Sequence, residues 1–236
     1  MQTLTVLDPL ADLARLEGVP SAVAAALDSV DVVLRDRGHR RVAREESARA
    51  LLASAKASAE LTDDADRWLP GALRLYTEVA DLAALIRVAP GQALARSHVL
   101  VVRGLVPDEL LGRLRDDPAV APRMAELSQL LTRPTEGSAV VLGAVVHAEI
   151  AVLEPFGSAD GLVARATEHM VLISAGVDPY GLINCEAGHR ADPAAYADAL
   201  RRYRDEGARG VRAWLQHCAS ALARGAALGS GAAVAE

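Results

Sequence analysis

Residues 138–175 read SAVVLGAVVHAEIAVL, then EPFGSADG, then LVARATEHMVLISA, and these three parts decide the fold. The first block, 138–153, is apolar on every side apart from His147 and Glu149. A helix of that kind belongs in the middle of a helical domain, because it has no face to offer water. The block from Leu162 to Ala175 reads as a second apolar helix. Between them, residues 154–161 carry Pro155, Gly157, Ser158 and Gly161 without helical spacing, so they form a loop. A loop between two core helices must satisfy its own backbone groups, and the free N–H groups at the start of the second helix face whatever lies there. That geometry suits an anion. A tight interhelical turn with no ligand has the same spacing.

The rest of the chain has the same helical character. Val23, Leu27, Val30, Val33 and Leu34 recur at spacings of three and four after Pro20-Ser21, and Gly38 ends that helix. A second helix is expected over 43–61, with Ala50, Leu51 and Ala53 on one face. A third runs from the Thr62-Asp63-Asp64 start cluster towards Val88, interrupted near Pro70. After the Pro90-Gly91 break comes the one strand-like run, Val99-Leu100-Val101-Val102, which is rich in β-branched residues and bounded by Gly104 and Pro107. Further helices are expected over 107–115, 122–131, 193–204 and 208–224. The Gly/Ala-rich tail after Gly225 frays. The expected class is all-α with a short β-hairpin flap. It divides into an N-terminal helical region (1–94), a core (95–228) and a flexible tail (229–236).

Composition narrows the function. The chain has 236 residues, 51% of them hydrophobic and only 3% aromatic, so the core is built from Ala, Val and Leu. A formal charge of −6 and a pI near 5.6 argue against nucleic acid as the partner. Lys56 is the only lysine, as in the proteins of GC-rich bacterial genomes. The run Arg35, Arg37, Arg40, Arg41 and Arg44 reads as a solvated helix face. The longest uncharged apolar stretch, 137–148, is too short to span a membrane, and residues 1–10 have no signal-peptide pattern. Cys185 and Cys218 make no disulfide framework, which points to a reduced, cytoplasmic setting.

The segment from His147 to Arg165, HAEIAVLEPFGSADGLVAR, resembles the signature region of Fic-domain proteins, whose motif is HPF-x-(D/E)-GNGR-x-x-R. The flanks agree: MVLISAGV from Met170 resembles the helix after the motif, and YADAL from Tyr196 resembles a later Y-x-x-A-L helix. Val99–Val102 stands where the family has its flap. The resemblance covers about residues 95–224. It implies a helical fold, an ATP/Mg²⁺-dependent AMP transfer and a loop that cradles phosphates. The family's general-base histidine is here Glu154. Phe156 and Gly161 match, and Arg165 matches the second arginine. The Mg²⁺-holding acid is Ser158, the first loop glycine is Ala159, the asparagine is Asp160 and the first arginine is Leu162.

Each change has a consequence. A carboxylate near neutral pH is a weak base unless burial raises its pKa. Ser158 removes the metal carboxylate, Asp160 places negative charge where an anion should lie, and Leu162 deletes a bidentate phosphate donor. Standard AMP transfer is therefore not expected. The candidate site is Glu154 as a base, with Phe156, Ser158, Asp160, Gly161 and Arg165 binding a small anionic or nucleotide-like ligand. There is no metal ligand unless Asp160 serves as one. Arg165 is expected to neutralise Glu154 or Asp160, and Asp160 to cap the second helix. The stretch Lys56-Ala-Ser-Ala-Glu60-Leu61 departs from the family's inhibitory motif, so Glu60 reads as a surface residue.

Three functions stand: a pseudoenzyme that keeps a ligand- or partner-binding pocket, with a peptide pairing to the 99–102 strand; a repurposed transferase using Glu154; and a helical interaction protein, a homodimer being open. His147 reads as a satisfied core histidine. Cys185, His189, His217 and Cys218 could ligate metal, with buried thiols and ordinary histidines as the default.

Overall fold

A computed structural model describes residues 8–36 and 44–231. Within them the chain forms twelve α-helices: α1 (Pro9–Ala14), α2 (Val19–Asp36), α3 (Arg44–Ala59), α4 (Ala65–Thr77), α5 (Val79–Ile86), α6 (Pro90–Val102), α7 (Val120–Thr132), α8 (Ala139–Leu153), α9 (Asp160–Ser174), α10 (Cys185–Arg190), α11 (Pro193–Asp205) and α12 (Gly207–Gly231). The class is all-α. None of these helices is long and apolar enough to cross a membrane.

The two apolar blocks of sequence are α8 and α9. Residues 140–148 of α8 and 162–172 of α9 are buried without interruption. The pair packs together, with Gly143 of α8 against the side chain of Glu168 in α9. Helices α5 and α6 cover α9, while α11 and α12 cover α8; α12 also packs on α2 and α10. One apolar core runs from Leu10 to Ala226. Helix α6 passes through the 94/95 position, so that core continues across it.

The flap strand is not there. Val99–Val102 is the last turn of α6, and among the described residues the β-structure is one isolated bridge, Arg103 to Val106. Leu94, Ser97, His98, Val101 and Val102 all lie on the buried side at helical spacing. Burying that stripe outweighs the strand preference of four consecutive branched or bulky residues. The Arg74 guanidinium then donates to the carbonyls of Leu100 (2.8 Å) and Val101 (3.2 Å), closing the end of α6. No open strand edge remains at 99–102, so a peptide has nothing to pair with there.

Smaller differences have local causes. Pro70 sits inside α4 without ending it, and the break falls at Glu78. The helix expected at 107–115 is a single 3₁₀ turn, 108–110, because the segment bends to meet the loop after α8. Helices α1 and α10, six residues each, are too short for periodicity to reveal; Asp8 and Asn184 cap them. The N-terminal cap of α9 is Ala159, not Asp160. The Gly38 stop and Arg37, Arg40 and Arg41 lie outside the described residues; Arg35 is exposed and pairs with Asp31 at 2.8 Å. Helix α12 continues to Gly231, and residues 232–236 lie outside the described part.

Gly71 lets α4 cross α6 closely: a Cβ there would sit 2.2 Å from the carbonyl oxygen of Val101. Gly71→Ala should therefore cost about 1–3 kcal/mol in urea unfolding, against the ~1 kcal/mol that helix propensity alone would favour it. A neutral or stabilised variant would show that the α4–α6 crossing relaxes.

Candidate functional site

The loop between α8 and α9 is held in an unusual backbone state. Glu154 (φ 49°) and Ala159 (φ 56°) are the two non-glycine residues with left-handed backbone among those described, and they mark its two ends. Each left-handed residue costs ~1–2 kcal/mol, and such strain concentrates at functional loops. Inside the loop, the Asp160 carboxylate folds back and accepts the Phe156 N–H at 2.8 Å. Asp160 is buried. Burial pushes its carboxyl up to about 6; the Phe156 N–H opposes this and the Glu154 charge adds to it.

The segment after α6 clamps the loop from outside. The Arg115 N–H donates to Pro155 O (2.8 Å), and its guanidinium donates to the carbonyls of Glu154 (2.6 Å) and Leu153 (2.9 Å). A cation thus occupies the negative end of α8. His98, in α6, stacks on Phe156 with ring centroids 4.4 Å apart. Its Nδ1 accepts the Gly112 N–H at 3.0 Å, so neutral His98 carries its proton on Nε2 and donates it to Ser158 Oγ, also 3.0 Å away. Burial lowers the His98 pKa to about 4, which keeps the ring neutral. Ser158 therefore accepts from His98 and lines the cleft.

Arg165 does not neutralise Glu154 or Asp160. It is buried, and its guanidinium donates to Ser58 Oγ (2.9 Å), Ser58 O (2.9 Å) and the Tyr196 hydroxyl (3.2 Å). Tyr196 in turn donates to His147 Nε2 (2.9 Å). His147 Nδ1 donates to Glu168 Oε2 (2.5 Å), which also accepts from His189 Nε2 (3.1 Å), and His189 Nδ1 accepts from His217 (3.1 Å). Each bond in this chain then has one donor and one acceptor. Burial lowers His147 to about 4. Burial alone would raise Glu168, yet His189 and His147 hold its carboxyl well below the usual range.

Two adjoining cavities meet at the loop. One, of about 290 Å³, is lined by Asp63, Trp68, Ser158, Gly161 and Arg165; the other, of about 520 Å³, by Thr62, Tyr196, Arg201 and Arg204. Leu61, Thr62 and the exposed Glu154 line both. Of the expected site residues, Glu154, Ser158, Asp160, Gly161 and Arg165 converge on this cleft. Phe156 packs behind it on His98. Glu60 is half-exposed, pairs with Arg190 at 2.8 Å and edges the larger cavity. His147 is the buried, bonded histidine expected, and Glu149 bonds Arg123 and Tyr203.

Sequence reasoning missed His98, Arg115, Ser58, Tyr196 and Glu168. A signal existed for Glu168 and His169, two adjacent polar residues within an apolar helix. None existed for Ser58 or Arg115, which reach the site from distant segments.

No family model matches the chain, and no curated protein does. Among solved structures, a Fic family protein from Desulfovibrio desulfuricans G20 superposes with a TM-score of 0.65 at 16% sequence identity, covering 99% of this chain and 78% of that one. The fold is Fic-like.

Two substitutions test the electrostatics. The Asp160 pKa is higher folded than unfolded, so the folded state binds more protons between about pH 4 and 6 and loses stability as pH rises through that window. Asp160→Asn, which keeps an oxygen for the Phe156 N–H, should gain about 1–2 kcal/mol on the parent between pH 4 and pH 7. A pH-independent difference in urea unfolding would refute the assignment. Glu168→Ala should cost about 3–5 kcal/mol at pH 7, because it orphans two buried imidazole N–H groups, whereas exposed Glu154→Ala should stay within about 0.5 kcal/mol.

Proposed function

We propose that this Fic-like chain does not carry out ATP-dependent AMP transfer and that its cleft holds a small anionic, nucleotide-like ligand. The observation that carries this reading is the Asp160 carboxylate, bonded to the loop's own Phe156 N–H where the family's loop would receive an anion. Mg²⁺–ATP fits these residues poorly. Mg²⁺ wants carboxylate and phosphate oxygens, but the position expected to supply the acid is Ser158, whose oxygen already accepts from His98. The Asp160 carboxylate is buried and bonded to the Phe156 N–H, and Leu162, at the wall of the smaller cavity, is almost fully buried.

Within the cleft at the loop, the larger space for a ligand is the 520 Å³ cavity, a size that suits a nucleotide-scale molecule. Arg201 and Arg204 stand at its rim, beside Asp198 and Asp205, and Ser158 presents a hydroxyl in the adjoining space. The strained ends of the loop support retention of the site for use. They also favour one second reading, a repurposed transferase, because the left-handed Glu154 faces both cavities and could serve as its base.

Labelled ATP with Mg²⁺ and cell lysate should label neither the chain nor other proteins; strong labelling that disappears in Phe156→Asp would overturn the proposal. In thermal-shift screening, a nucleotide or sugar phosphate at 100 times its Kd should add about 2.7 kcal/mol, and Arg201→Ala combined with Arg204→Ala should remove the shift. A flat screen would leave the helical interaction protein in its place. Turnover of a bound ligand that is lost in Glu154→Gln while binding persists would select the transferase.

A further inference from the structure

A second polar cluster lies in the core, outside the cleft. His169 of α9 and Cys185 and Glu186 of α10 are all at most 1% exposed. His169 Nδ1 is 2.9 Å from Glu186 Oε1 and 3.9 Å from Cys185 Sγ. The other ring nitrogen, Nε2, points towards Asp178 Oδ2, 4.0 Å away, and the Tyr76 hydroxyl donates to Glu186 Oε1 at 2.7 Å. Asp178 is itself fixed by the N–H groups of Leu182 (2.9 Å) and Ile183 (2.8 Å).

We propose that His169, Cys185 and Glu186 form a structural site for one divalent transition-metal ion of the zinc class. Three donors of different kinds, imidazole nitrogen, sulfur and carboxylate oxygen, converge within 4.8 Å of one another. In a tetrahedral zinc site the N···O and N···S edges are roughly 3.4 and 3.6 Å; here they are 2.9 and 3.9 Å, so side-chain shifts of about half an ångström or less would complete the site. The outer groups fit as well: a ligating histidine ordinarily gives its second N–H to a carboxylate, as Nε2 can to Asp178, and a ligating carboxylate is hydrogen-bonded, as Glu186 is by Tyr76.

The second observation is what the cluster lacks. Three buried side-chain polar atoms among the described residues have no partner, and two of them, His169 Nε2 and Glu186 Oε2, are here. Buried polar atoms are otherwise almost always paired. A cation bound by both Glu186 oxygens, His169 Nδ1 and Cys185 Sγ has four donors, and it leaves Nε2–H free to turn to Asp178. The neighbouring His147–Glu168–His189 triad also has metal-ligand spacing, but each of its ring nitrogens already has a hydrogen bond, so nothing there asks for an ion.

The exchange balances. In the metal-free site the Nδ1–H of His169 donates to Glu186 Oε1. For M²⁺ to bind, Nδ1 and the Cys185 sulfur must give up their protons: the thiol proton passes to water, and the Nδ1 proton to water or to Nε2, which faces Asp178. The ion would tie α10, only six residues long, to α9 and through Tyr76 to α4, and α10 carries His189 into the Glu168 network.

The test uses the full chain expressed with Zn²⁺ or Co²⁺ and purified without chelator. About one metal per chain is expected, and the Co²⁺ form should show a near-ultraviolet sulfur-to-cobalt charge-transfer band. Cys185→Ser should abolish the band and lower metal content about tenfold or more, while Cys218→Ser, at the buried cysteine of α12, should keep both. A folded wild-type chain without metal, whose Tm ignores added Zn²⁺, would overturn the proposal, as would a band that survives Cys185→Ser. Should Cys185→Ser fail to fold, Glu186→Gln decides: it keeps the Tyr76 contact, and unchanged metal content and band in that variant would equally overturn the site.

Discussion

The Glu168 carboxylate has no access to water, and the helices around it are arranged to supply what it requires. It sits midway along α9 against Gly143 of α8, accepts from His147 of α8 and His189 of α10, and is linked onward to Tyr196 of α11 and His217 of α12. An ionised carboxylate in such a place is tolerable only when fully hydrogen-bonded. Each donor must therefore hold one tautomer and one ring orientation. Trp214 adds a further constraint, bonding Ala144 O at 2.7 Å while stacking on His189 and His217. A network of this kind contributes less net stability than an apolar replacement could, and what it fixes is register: sliding any one helix breaks several bonds at once.

The same network reaches the cleft. Tyr196 bonds both His147 and Arg165, so the arginine in the cleft is positioned from the core as well as by Ser58 of α3. The loop is then closed from the opposite side by His98 and Arg115. Three segments far apart in sequence hold one loop in a strained backbone. Arg165, with its guanidinium spent on Ser58 and Tyr196, supports the cleft more than it offers charge to a ligand. That offer falls to Arg201 and Arg204 on α11, whose side chains are open to solvent.

Much of this was legible in one dimension. The two apolar blocks around residues 154–161 located the central helices and the loop between them, because a helix without a polar face can only be interior. The motif flanks pointed to the Fic-like fold, and Gly-, Pro- and Asp-rich breaks placed most helix ends to within a few residues. The failures share a cause. Val99–Val102 has the local preference of a strand and the burial pattern of a helix, and burial decides. Helices α1 and α10 are too short to show a period.

The sequence by itself determined the all-α class, the interior position of the 139–153 and 160–174 helices, and the crowding of polar residues onto one loop between them. These follow from apolar periodicity and from backbone rules that act over a few residues. Only the tertiary structure decided where the charges go. Asp160 turns back on its own loop, Arg165 bonds Ser58, Glu168 collects two histidines, and His169 meets Cys185 and Glu186. Those pairings depend on side chains brought together from segments up to about a hundred residues apart, and the cost of leaving a buried polar atom unpaired, which selects among them, exists only once the core has closed.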